Sequence, residues 1–402
     1  MKIIEKKYIL PFCLVSALFL LWGIAANMTD TLLSAFRKIM SMNDLQTSLI
    51  QFAFYGSYFC FALPAALYIR RFSYKSGIIL GLLLYSAGAI MFLPAAKIAS
   101  YPFYLVAIYI MAGGCSILET TANPYILSMG SPDTATRRLN IAQSFNPIGC
   151  ITGILLSKYF ILNDISLGSI SGTYMFLGFV LLGILLIMLF SSMPEGKDAE
   201  CSNSVRSVFG RLLKRKTYVF GVIALFFYMG AQTGVWSYSI RLSMKEMAYT
   251  EAQGATIYLI AVICFSVARF FFTLMMKWFK DSRLLAFSAA AGVLLSAAVI
   301  LTSGSGLLCL TALTLISFFM SLMFPTIYGI ALENIESPYA GGVAGDAKIA
   351  ASGLIMAILG GAVITPLQGL ISDVAGINVS FAVPVLCFIV VLAFAVYSGK
   401  SR

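Results

Sequence analysis

Long apolar runs recur along this chain from end to end, separated by short polar segments. Twelve of them, at residues 8–34, 46–69, 76–95, 102–128, 138–160, 171–192, 218–243, 251–276, 283–303, 306–331, 345–372 and 377–398, are long enough to cross roughly 30 Å of hydrocarbon as helices. The pattern therefore predicts an all-α membrane protein with twelve transmembrane helices. The first run resembles a signal peptide only superficially. It is too long, lacks a small-residue cleavage site and is followed by further spans, so it is expected to remain in the mature protein.

One polar stretch interrupts the pattern inside the chain. Residues 191–217, "SSMPEGKDAECSNSVRSVFGRLLKRKT", divide the spans six and six, and their basic amphipathic end is what a cytoplasmic tether lying on an anionic leaflet requires. The two halves also echo each other. "YIRRFSYKSGIILG" (68–81) joins spans 2 and 3, and "MMKWFKDSRLLAFS" (275–288) joins spans 8 and 9, as expected of an internal repeat.

Composition agrees with the pattern. The chain is 60% hydrophobic and 11% charged, with too little polar surface to cover a water-soluble globule of 402 residues. The net charge of +11 would point to nucleic acid in a soluble protein, but its placement gives topology instead. With the N-terminus cytoplasmic, 20 of the 27 Lys and Arg fall in inner segments and 6 in outer ones, while Arg269 lies within span 8. Both termini are thus expected in the cytoplasm of a cell that holds the protein in its inner membrane, with no nucleic-acid partner. Histidine is absent, which removes the usual catalytic triads, His-ligated metal sites and histidine proton relays. Cys13, Cys60, Cys115, Cys150, Cys264, Cys309 and Cys387 fall in or at the ends of spans and are expected to be packing residues. No enzyme, metal site or cofactor is expected.

A charge inside hydrocarbon costs roughly 2.5 to 3.5 kcal/mol on insertion scales, so intramembrane carboxylates are functional candidates. Only Asp30 and Glu119 sit well inside the predicted spans. Asp30 shares a helix face with Asn27 in "LLWGIAANMTDTLL", and Glu119 shares one with Asn123 in "SILETTANPYI", where Pro124 predicts a kink or local unwinding. In "RLNIAQSFNPIG", Gln143 and Asn146 are three apart, with Pro147 following. In "FFYMGAQTGVWSYSIR", Tyr228, Gln232 and Trp236 step by four along one stripe. Amides and carboxylates of this kind pair with hydroxyls, and an indole ring offers an apolar plate to the C–H face of a pyranose. The set suits a neutral sugar. Arg269 on span 8, the only buried cation candidate, is expected to pair with a carbonyl or carboxylate, and an anionic substrate is not expected. A carboxyl in a poorly hydrated cavity has its charged form disfavoured, so Asp30 or Glu119 is suited to take up and release a proton in each cycle.

Together, "WGIAANMTDTL", "SYKSGIILGL", "LETTANPYI", "RLNIAQSFNPIG", "GAQTGVWSYSIR" and "FPTIYGIALENI" resemble the fucose-galactose-glucose:proton symporter family of the major facilitator superfamily, and most of all its L-fucose branch. The resemblance implies two six-helix bundles around a central cavity, at 1–190 and 218–402 with the linker at 191–217 between them, working by alternating access as a monomer. It implies that Asp30 and Glu119 are the essential acids, joined by Asn27, Gln143, Asn146 and Trp236. Asn123 and Gln232 complete the expected sugar site from their spacing, with Phe324 from span 10. One departure concerns span 10. Where the fucose branch has Gln-Tyr before Pro-Thr, this chain has Met323 and Phe324 before Pro325, a pattern more like the glucose/galactose branch. The expected activity is proton-coupled monosaccharide uptake, with L-fucose first and galactose, glucose or an N-acetylated hexose as alternatives. A multidrug:proton antiporter would need an apolar, cation-tolerant cavity, against which the amides argue. An intramembrane enzyme would need a nucleophile or metal set, and a sugar sensor a larger soluble output region.

Overall fold

The computed structural model describes residues 4–40, 44–162, 166–194, 205–333, 335 and 346–400, and within these the side chains at 26, 29–38, 44–48, 51, 158, 162, 251 and 252 also lie outside the description. The described residues contain no strand. Among the described residues, twelve helices are long and apolar enough to cross a membrane. They are α1 (Ile9–Ile39), α2 (Asp44–Arg71), α3 (Tyr74–Ile90), α4 (Tyr101–Ser128), α5 (in two pieces, Ala135–Gln143 and Phe145–Leu156), α6 (Leu167–Phe190), α7 (Lys216–Met247), α8 (Glu251–Met275), α9 (Asp281–Leu301), α10 (in two pieces, Leu307–Met320 and Met323–Leu332), α11 (in two pieces, Asp346–Met356 and Gly360–Ala375) and α12 (Ala382–Lys400). Large apolar side chains stand on the outer surface, Phe190 and Val374 each being 89% exposed. Water does not tolerate such a surface over a whole chain, whereas lipid does. The protein is a multi-pass membrane protein.

Local sequence sets the helix ends. Ser73 and Ser76 form a capping box at the start of α3, and Thr250 and Gln253 form one at the start of α8. A short linker helix, Val205–Lys214, buries Val208 and Leu212, four residues apart, and carries Arg211 and Lys214 in its last turn. The end of α7 is clamped by Glu246, whose carboxylate accepts from Gly304 N at 2.9 Å, Gly306 N at 3.3 Å and Asn378 Nδ2 at 2.8 Å. Gly304 and Gly306 adopt φ of 81° and 53°, a left-handed turn that side chains resist.

The chain forms two compact units. One contains Met1–Ala135, Ile148–Val208 and Asn334–Met356, and the other Thr136–Pro147, Phe209–Glu333 and Ala357–Arg402. In the first unit α4 packs against α2 and α3, α3 against α6, and the first piece of α11 against α2 and α4. In the second, α12 packs against α7 and α9, the second piece of α11 against α7, and α10 against α8 and α9.

Each unit contains a very close helix crossing, between its first and fifth helices, made possible by glycine. A Cβ at Gly149 would strike the Leu20 carbonyl of α1, and a Cβ at Gly360 would strike the Phe226 carbonyl of α7. The fifth helix of each half thus meets the first helix of that half through a glycine. Gly360→Ala must push α11 off α7, and overpacking of this kind costs about 1–3 kcal/mol. A lowered melting temperature of the purified protein is the expected result, while Gly183→Ala, where nothing lies within 4 Å of the added Cβ, should leave it unchanged.

One expectation is narrowed and another needs correction. Pro124 does not unwind α4, which runs unbroken to Ser128. Pro124 costs the helix one bond, that to the Thr120 carbonyl, and α4 ends one turn later. Cys13 and Cys60 are exposed and do not pack inside, although the seven described cysteines are all unbridged thiols.

Candidate functional site

In the first unit α1 runs unbroken through positions 27 and 30. Asn27 is buried and its Nδ2 donates to the Gly23 carbonyl at 3.2 Å. The side chain of Asp30 lies outside the described residues. Glu119 of α4 is 1% exposed, and neither carboxyl oxygen has a hydrogen bond of ordinary geometry. Asn123, fully buried one turn on, is the polar group in electrostatic contact with that carboxyl. A carboxyl taken this far out of water, with no cation against it among the described residues, is costly in its charged form.

In the second unit the break in α5 explains the position of Arg269. Proline has no N–H, so Pro147 leaves the Gln143 carbonyl, four residues back, without its helical partner. The α5 helix interrupts at Ser144, whose Oγ donates to the Asn140 carbonyl at 2.8 Å. Arg269 Nη1 then donates to the Gln143 carbonyl at 3.4 Å. The guanidinium is 3% exposed and lies 4.9 Å from the centroid of the Phe265 ring. The expectation that Arg269 pairs with a carbonyl is met. The same break separates Gln143, which is buried, from the half-buried Asn146, so their three-residue spacing is not carried by one uninterrupted helix.

The α7 stripe is tied to α10. Tyr228 donates its hydroxyl to the Met320 carbonyl at 3.1 Å, where α10 breaks before Met323, and Trp236 Nε1 donates to Ser317 Oγ at 3.2 Å, one turn earlier. The Trp236 ring meets Phe265 edge-on at 5.1 Å, which continues the stack toward Arg269. Gln232, between them on the stripe, is half-buried. Phe324 is buried, 6.5 Å from the Tyr228 ring and 6.3 Å from that of Tyr328, on which it stacks.

Arg138 is fully buried, so Arg269 is not the only buried cation, and Asn140, Gln368 and Tyr58 are further buried polar groups that sequence reasoning missed. Asn140 donates to the Thr136 carbonyl at 3.0 Å and to Thr326 Oγ1 at 3.3 Å, within the second unit. Gln368 of α11 is fully buried against Gly234, with neither amide atom bonded. Tyr58 of α2 is buried with its hydroxyl unbonded. A lone amide in "ITPLQGLI" was a readable signal for Gln368. A tyrosine in an apolar run carries none.

Each unit thus places amides and aromatic rings on helices long enough to cross a membrane, and the first also places a buried carboxyl there. The major facilitator superfamily profile matches residues 12–358. The chain belongs to the major facilitator superfamily. It is 39% identical to the L-fucose-proton symporter of Haemophilus influenzae over 434 residues, covering 99% of both chains. It is 29% identical to the glucose/galactose transporter of Brucella abortus, covering 99% of this chain and 96% of that one. Among solved structures, the crystal structure of FucP, a superfamily transporter in the outward conformation, is similar with a TM-score of 0.88 and 33% identity, covering 98% of this chain and 99% of that chain. Superfamily membership gives the fold as two six-helix bundles.

Proposed function

We propose that this protein is a proton-coupled symporter that carries a monosaccharide, L-fucose first, into the cell. It is a transporter and not an enzyme. Full-length likeness to an L-fucose-proton symporter supports the substrate class. The single observation in this chain that carries proton coupling is Glu119, a carboxyl buried in a membrane span with neither oxygen bonded. On this proposal Asp30 and Glu119 handle the proton, and Asn27, Asn123, Gln143, Asn146 and Gln232 bond the sugar hydroxyls. Trp236 and Phe324 supply apolar plates. The bundles divide at 1–190 and 218–402 around the 191–217 linker. The protein works as a monomer in the lipid of the inner membrane with both termini in the cytoplasm, as the Lys and Arg distribution favours.

A hexose such as glucose or galactose is the second reading, favoured by Met323 and Phe324, which offer the sugar no hydrogen bond. Counterflow in proteoliposomes preloaded with L-fucose, D-galactose, D-glucose or N-acetylglucosamine separates the two. L-Fucose is expected to drive exchange of labelled L-fucose most strongly. Exchange driven only by D-galactose or D-glucose would move the substrate to the hexose branch.

A further inference from the structure

Gln368 is fully buried on the second piece of α11, and neither its carbonyl oxygen nor its amide nitrogen has a hydrogen-bond partner among the described residues. It belongs to a seam between α7 and α11, inside the second unit, along which three contacts lie in register. Gly360 meets the Phe226 carbonyl, Gly230 meets Ile364, and Gly234 meets the Gln368 side-chain oxygen, so the contacts advance by four residues on both helices, which run parallel. At each of the three a glycine leaves no room for a Cβ. The nearby polar side chains are committed elsewhere. Thr365, one turn before Gln368, donates to the Gly361 carbonyl at 2.7 Å, and Tyr228 and Trp236 of α7 donate to α10. Gly234 lies two residues from both Gln232 and Trp236, about 200° around the helix, so Gln368 presses on α7 from the side opposite the stripe assigned to the sugar.

An amide sealed from water without a partner costs folding free energy that an apolar side chain of the same size does not. A seam built on glycine also has no interlocked side chains at those three points, and packed helices of transporters shift by small slides along such seams. We infer that Gln368 is a positioning residue for α7: its amide is unbonded in the present packing and gains hydrogen bonds when α7 and α11 slide against each other in the transport cycle. Gln368 therefore disfavours the present packing and favours the shifted one, while touching neither sugar nor proton. The inference rests on the chain being a transporter, and is independent of which sugar it carries and of proton coupling.

Gln368→Met keeps the length of the side chain and removes both polar atoms. The melting temperature of the purified protein in detergent should rise by about 2 °C, because an unbonded polar group leaves the core. Sugar counterflow should fall roughly tenfold, because the shifted packing loses its bonds while the present one gains. The opposite signs carry the test. A residue that merely holds the fold would lower both quantities, and an idle one would leave counterflow unchanged; either result overturns the inference. Gln368→Leu, a smaller side chain, repeats the measurement without overpacking, and a melting temperature lowered in both variants means that the amide is bonded in the present packing and also overturns it. Amide hydrogen exchange along residues 230–236 in liposomes gives a readout that needs no sugar. It should slow several-fold in Gln368→Met as the seam settles into one packing, and an unchanged rate contradicts the slide. If the unmodified protein exchanges none of the four sugars, the sugar assignment fails while hydrogen exchange still tests Gln368.

Discussion

Glu119→Gln is expected to abolish accumulation of sugar against its gradient while sugar exchange persists at a reduced rate. The carboxyl is buried on α4 without a bonded oxygen, so its charge state is set by whether it holds a proton. Glutamine keeps the shape and one acceptor, and it imitates the protonated acid permanently. A carrier locked in that form can still reorient with sugar bound, but it has no proton to release. In proteoliposomes with an acid exterior, internal sugar should rise only to equilibrium, whereas the unmodified protein concentrates it. Accumulation by Glu119→Gln at the unmodified level would remove Glu119 from the coupling.

The second large effect concerns stability. Arg269→Met should lower the stability of the folded protein by about 2 to 4 kcal/mol, because it strips the guanidinium from a buried carbonyl and from the Phe265 ring together. The cause lies in the chain itself. Pro147 has no N–H to offer Gln143, and the arginine supplies the missing donor. Pro147→Ala restores that N–H, so the cost of Arg269→Met should shrink by about 1 kcal/mol in the Pro147→Ala background, a double-mutant coupling read from thermal unfolding in detergent. Additive effects would mean that Arg269 stabilises the second unit through other contacts.

The spans were legible because a bilayer demands a long apolar run and leaves little room for compromise. The observed helices match them closely, from Tyr101–Ser128 against an expected 102–128 to Asp281–Leu301 against 283–303. The candidate site was legible for the same reason, since a carboxyl or amide inside a span is conspicuous by its cost. Helix breaks were less so. Pro124 and Pro147 look alike in sequence, yet α4 continues through the first and α5 has already interrupted at Ser144 before the second. The difference is position. Pro124 removes one bond a turn before α4 ends, whereas Pro147 lies in mid-span and has Arg269 to accept the consequence. Tyr58 was invisible because tyrosine is common in apolar helices, and only tertiary packing buries its phenol. The division of α5 between the two compact units after Pro147, and of α11 between its two pieces, likewise depends on contacts between segments far apart in sequence, which periodicity does not encode.

Proton-driven uptake tests the central claim most directly. Purified protein is reconstituted in liposomes, the exterior is made acidic relative to the interior, and labelled L-fucose is followed with and without a protonophore. Proton coupling predicts internal L-fucose well above the external concentration, collapsing to equality when the protonophore is added. Uptake that never exceeds equilibrium, or that is indifferent to the protonophore, would contradict symport and leave Glu119 as a buried acid with another task.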